Sequence, residues 1–235
     1  MRPTSARVAS WMSVVCILVG LFAFANLTFA QSRSNAKRQL SERPLSSTAA
    51  LTAAAPVHLA TSAVKPPNTS DSWTGGGDGT SWNNAANWSA GVPNSSTVDV
   101  TIGTATAAVN DNIAAQVGNL TLSHAGDSLT IADGIGLSVF GSTINNAGTI
   151  TLNSTNAFTS QLTLNANTTL SGGGTLTMVN GPNNVITGVA MATKLTNQET
   201  IQGAGNIGRG QMTLVNSGTI NANQSAGMTI QTNGG

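Results

Sequence analysis

From Thr97 onward the chain alternates apolar and polar residues in short triplets. These are Val100-Thr101-Ile102, Leu120-Thr121-Leu122, Leu129-Thr130-Ile131, Ile150-Thr151-Leu152, Leu162-Thr163-Leu164, Leu176-Thr177-Met178, Met212-Thr213-Leu214 and Met228-Thr229-Ile230. Alternation with period two puts both apolar side chains on one face of an extended strand and the β-branched Thr on the other. Such strands are too short to stand alone, and the Gly, Asn and Ser between them mark turns.

A longer unit contains some of the triplets. Ile144–Ile150, Leu170–Leu176, Leu195–Ile201 and Leu214–Ile220 share one seven-residue layout: apolar, any, Asn or Gly, any, Gly or Glu, Thr, Ile or Leu. Their first residues lie 26, 25 and 19 positions apart. That is the period of a chain that coils back on itself, each coil pairing with the next. The pattern predicts an all-β fold, a parallel β-helix (β-solenoid) over 97–235. It would hold about six coils and extend roughly 30 Å at one strand spacing per coil. Leu122-Ser-His-Ala-Gly-Asp is a degenerate fifth copy. Asn146, Asn197 and Asn216 fill one slot of the unit, where stacked amides are expected to form a structural ladder from coil to coil.

Composition agrees. Only 7% of the residues are charged and 4% aromatic, and Tyr is absent. A fold so poor in charge and aromatic area depends on regular backbone pairing and many small shared apolar contacts.

The N-terminal seventy residues follow a different pattern. Arg2 and Arg7 precede an uncharged run from Val8 to Ala30, ending in small residues at cleavage spacing. This is the layout of a secretory signal peptide over 1–30. An uncleaved anchor is the rival, because the run is long enough to span a bilayer and Arg33, Lys37, Arg38 and Arg43 follow it. Cleavage before Asn26 or Gln31 would decide between them. It would also remove Cys16, the sole cysteine, leaving a mature chain with no thiol and a net charge of about −1. Residues 31–70 are rich in Ser, Ala, Thr and Pro without apolar periodicity. They predict a disordered N-terminal tether, whose basic residues are those of a solvated linker.

At Asp71 the composition shifts again. Residues 71–96 hold Trp73, Trp82 and Trp88 around the glycine-rich stretch Gly75–Gly79. Two readings compete. The indoles can stack on sugar rings as a glycan site, or they can plug the open end of the solenoid as a terminal cap, the reading favoured by how often tryptophans are buried. Gly75-Gly76-Gly77-Asp78-Gly79 is a turn in this reading, since a calcium site of this type needs several successive copies. The segment from Trp73 to Pro93 closely resembles one that opens repeat regions in bacterial autotransporter passengers and related large secreted surface proteins. That resemblance implies an exported β-helical region for display or adhesion. It implies no catalytic residue.

Catalysis by a β-helix needs clustered carboxylates, or an acidic cation site with a basic proton acceptor. The coils offer only Asp99, Asp111, Asp127, Asp133 and Glu199, with Lys194 and Arg209 as cations. No two acids lie within five residues, and single charges of this kind are expected to be exposed and to serve solubility. His58 and His124 have no partner at metal or triad spacing. No catalytic residue, metal site or cofactor is therefore expected, so the chain is read as no enzyme. Seven acids against two cations from Asp71 onward exclude nucleic acid as a partner.

Together these features predict a secreted or cell-surface structural solenoid, adhesin-like or passenger-like. Its expected partners are extracellular glycans or a host or neighbouring cell surface. A membrane would be met only through the signal segment or a missing C-terminal anchor. The alternative is a carbohydrate-binding or polysaccharide-degrading β-helix. The last residues supply no polar cap, which suggests truncation after Gly235.

Overall fold

The computed structural model describes residues 67–155 and 158–233. The predicted signal segment with Cys16, His58 and the tether up to residue 66 lie outside the described residues.

The described chain opens with β1 (Thr69–Ser72) and a single 3₁₀ turn (Ala85–Asn87). Strands then follow in sets of three, one per coil. The first coil is β2 (Val98–Ile102), β3 (Ala108–Asp111) and β4 (Gln116–Val117). The second is β5 (Leu120–Leu122), β6 (Ser128–Ile131) and β7 (Gly136–Val139). The third is β8 (Thr143–Asn146), β9 (Thr149–Leu152) and β10 (Ser160–Leu164). The fourth is β11 (Thr168–Ser171), β12 (Thr175–Met178) and β13 (Asn184–Gly188). The fifth is β14 (Lys194–Asn197), β15 (Thr200–Gly203) and β16 (Gly205–Gly208). The sixth is β17 (Thr213–Asn216), β18 (Thr219–Asn221) and β19 (Met228–Ile230).

Each strand pairs in parallel with its counterpart one coil away. Three sheets result: β1-β2-β5-β8-β11-β14-β17, β3-β6-β9-β12-β15-β18 and β4-β7-β10-β13-β16-β19, hereafter the first, second and third. This is the expected parallel β-solenoid. Thr69 and Ser70, read from composition as tether, are already in the first sheet.

Period-two alternation becomes in-register stacking of inward side chains. In the second sheet Val109, Leu129, Ile150, Leu176, Ile201 and Ile220 form one column, each pairing directly with the next. In the third, Leu137, Leu162, Ile186, Ile207 and Ile230 form another. All but the last members, Ile220 and Ile230, are buried. Burying each such side chain contributes about 1.5–3 kcal/mol, so the columns supply the stability that charge pairs and disulfides do not.

The corners explain the glycines of the repeat. Asp127, Gly148, Gly174, Glu199 and Gly218 occupy the same place, just before successive strands of the second sheet. A Cβ added to Gly174 would strike the carbonyl oxygens of Gly148 and Asn146 above it. Neighbouring Gly173 faces open space but has φ +80°. Gly174→Ala should therefore lower stability by about 1–3 kcal/mol through overpacking, and by more than Gly173→Ala, which carries only the left-handed strain. Urea midpoints of the two variants check this ranking.

Candidate functional site

Trp73, Trp82 and Trp88 converge on one cluster. Trp73 and Trp88 meet edge to face at 4.9 Å between centroids, and Trp82 and Trp88 do so at 4.7 Å. Their relative exposures are 4%, 0% and 5%. Trp82 Nε1 donates to the Pro93 carbonyl at 3.0 Å and Trp88 Nε1 to the Trp82 carbonyl at 2.7 Å, so both polar edges are satisfied inside the cluster.

The segment that holds them reaches the first edge of all three sheets. β1 pairs with β2, Ser81 bridges Asn110 of β3, and Asn94 Oδ1 accepts from the Gln116 N–H of β4. Asp78 shapes the intervening loop. Its Oδ1 accepts from the Thr80 and Ser81 N–H groups and from Asn87 Nδ2, while Asn87 Oδ1 accepts from Gly77 and Gly79. Those donors hold the Asp78 carboxyl well below the usual range. The glycine-aspartate stretch is thus a turn closed on its own carboxylate. Among the described residues no cluster of three metal-ligating side chains exists.

This geometry counts against sugar stacking by the three tryptophans. A stacking ring needs an open face, and the burial of all three indoles leaves none accessible. The neighbouring groove, about 360 Å³, is lined by Thr69–Asp71, residues 90–95 and Val98, and includes no indole. Asp71 is its buried acid, with Oδ1 already accepting from Ser89 Oγ and the Ala90 N–H.

The acids of the coils do not sit as expected. Asp111, Asp127 and Glu199 are buried, not exposed, which corrects their reading as solubilising charges. Asp127 ties its corner together: Oδ1 accepts from the Ala107 N–H one coil back, and Oδ2 from the His124 N–H. His124 also has a partner that spacing missed, its Nδ1 lying 3.2 Å from Asp127 Oδ2. Asp99 Oδ1 accepts from Asn68 Nδ2, Asn119 Nδ2 and the Asn119 N–H along the first sheet. Asp133 accepts from Thr155 Oγ1 at 3.3 Å.

Glu199 completes the asparagine ladder in an unexpected way. Asn197 Nδ2 does reach Asn216 Oδ1 at 2.7 Å. Asn146 does not reach Asn197, because the intermediate coil has Gly172 and Gly174 where amide and side chain would stand. Glu199 extends through that gap, and its Oε1 accepts from Asn146 Nδ2 at 2.9 Å, two coils away. Its Oε2 is buried without a partner, as is Asp111 Oδ2. Burial pushes both carboxyls up to about 7, against the lowering donors Asn146 and Gly174 for Glu199 and Ile113 for Asp111.

No family model, curated protein or solved structure matches this chain. Among the described residues no helix is long and apolar enough to cross a membrane.

The raised carboxyls give a pH dependence with a definite sign. Folded Asp111 and Glu199 hold protons more tightly than their unfolded counterparts at 3.8 and 4.5, so folding takes up protons between those values and about 7. Their contribution is full below pH 4 and is lost as pH rises through 7. Glu199, the less desolvated of the two, should remove about 1–3 kcal/mol across that window after solvent screening. Urea midpoints should fall from pH 5 to pH 8, and Glu199→Gln should flatten much of the slope.

Proposed function

We propose that this chain is an exported, non-catalytic β-solenoid that works by presenting its outer faces outside the cell, in the manner of an adhesin or autotransporter passenger. The carrying observation is the Trp-rich segment lying across the first edge of all three sheets. That arrangement ends a stack of coils in the way a display rod requires, hiding backbone edges that would otherwise template aggregation. The signal-like layout of residues 1–30 supports export, and the Trp73–Pro93 resemblance supports a surface role.

A structural role accounts for the acids better than catalysis does. Asp78 closes a loop, Asp99 and Asp127 tie neighbouring coils, and Glu199 bridges two coils across a third. Asp127 and Glu199 stand three coils apart, roughly 14 Å at one strand spacing each, which is beyond the separation of a glycosidase carboxylate pair.

Expression of the whole chain with its native N-terminus in a bacterial host tests the reading. The protein should leave the cytoplasm and begin at Asn26 or Gln31 by intact mass. Cytoplasmic retention with Met1 present would remove the export part of the proposal. Release of reducing ends from a polysaccharide panel by the purified chain would replace it with a carbohydrate-active one.

A further inference from the structure

The outer faces of the three sheets differ in chemistry. On the second sheet, none of the outward positions from β3 to β18 is charged or aromatic. Its centre is a grid of threonines in strict register. Thr149, Thr175 and Thr200 form one column, and Thr130, Thr151 and Thr177 form the next. These residues are half-exposed. Among the described residues only Thr177 meets a side-chain partner, Gln202 Nε2 at 3.5 Å, and the other five hydroxyls make no hydrogen bond.

Backbone geometry fixes the grid. Columns advance by one strand spacing and neighbouring columns by two residues, so hydroxyls repeat at about 4.8 Å by about 6.6 Å. The first sheet repeats one such column, Thr143, Thr169 and Thr196, but none of its strands carries two outward threonines as β9 and β12 do. It also presents Asp99 and Lys194 outward, and the third sets Gly136 opposite Gln161 and Gly208 opposite Thr187.

The grid excludes most ligand classes. Anionic surfaces need cations, which are absent from it. An aromatic platform for sugar rings and the buried Trp, Tyr or Arg anchors typical of protein partners are absent as well. A repeating hydroxyl that both donates and accepts, beside a methyl that keeps loose water away, suits water held in a lattice. Ordered water repeats on this scale at the surface of ice. We infer that the second sheet's threonine face adsorbs to ice crystals.

The inference does not require export and is tested separately from it, on the purified chain. A fluorescently labelled sample is partitioned against a slowly grown ice hemisphere, with recrystallisation followed in parallel. The wild-type chain should enter the ice and slow crystal coarsening. Thr151→Lys and Thr175→Lys should abolish both effects while leaving the circular dichroism spectrum intact, because both side chains point outward. Thr196→Lys, on the outward side of the first sheet, should leave both effects in place. Three results would overturn the inference: exclusion of the wild type from ice, equal loss in Thr196→Lys, or retention of the wild type on cellulose or chitin that Thr151→Lys eliminates. A wild-type dimer in light scattering that Thr151→Lys dissociates would overturn it too, by assigning the face to a second copy.

Discussion

Backbone pairing between successive coils is the constraint from which the rest of this structure follows. Every strand from β2 to β16 has a parallel neighbour on both sides or meets the cap, and every inward column exists because that pairing keeps register. The sequence affords no substitute. Among the described residues no Lys or Arg pairs with an acid, the one contact between a basic and an acidic side chain is the His124–Asp127 hydrogen bond, and the only aromatic cluster is that of the Trp-rich segment. Stability in such a stack is a sum of neighbour terms, so an unmatched edge costs more than it would in a globular core. The N-terminal segment answers that cost by touching all three sheets.

Register has to be specified, because parallel strands of alternating Thr and Leu would pair almost as well after a slip of two residues. One such slip is present: Leu170 pairs with Ile144 on one side and with Asn197, not Leu195, on the other. The corners restrict further slips. Gly174 admits the carbonyls above it only at this height, and Glu199 meets Asn146 only when the intermediate coil contributes no side chain. A buried, partly unsatisfied carboxyl is a poor stabiliser, and its retention is understandable as a register device that selects one stacking over its neighbours.

The legibility of the fold in the sequence varied with side-chain contrast. The ends of the seven-residue units, Ile150, Leu176, Ile201 and Ile220, pair in an unbroken column, and seven of the eight predicted triplets lie wholly within strands. The third sheet was harder to see. Its β16 reads Gly-Asn-Ile-Gly and β4 only Gln-Val, with too little alternation to announce a strand, so tertiary pairing supplies what local propensity lacks. β1 was hidden for the same reason. The buried acids left signals that went unused: Asp111 is two residues from Val109 and therefore shares its inward face, and Asp127 and Glu199 are the two side chains in a slot otherwise held by glycine. The tryptophans were visible as a cluster, but only geometry distinguishes an occupied ring face from an open one.

Threonine on the outside of a strand needs no ligand to explain it, since β-branched residues fit a pleated, half-buried surface. Propensity acts on each strand alone, and would scatter threonines over all three sheets alike. The observed distribution is uneven. The first sheet aligns Thr143, Thr169 and Thr196 but sets Asp99, Asn145 and Lys194 beside its threonines, the third mixes Thr with Gly and Gln, and the second alone places two threonine columns side by side on the same strands. Paired outward threonines on two successive strands, Thr149 with Thr151 and Thr175 with Thr177, are the feature that sets this face apart. The inferred ice-binding face would thus lie along the side of the coil stack, away from the Trp-rich segment and the filled interior.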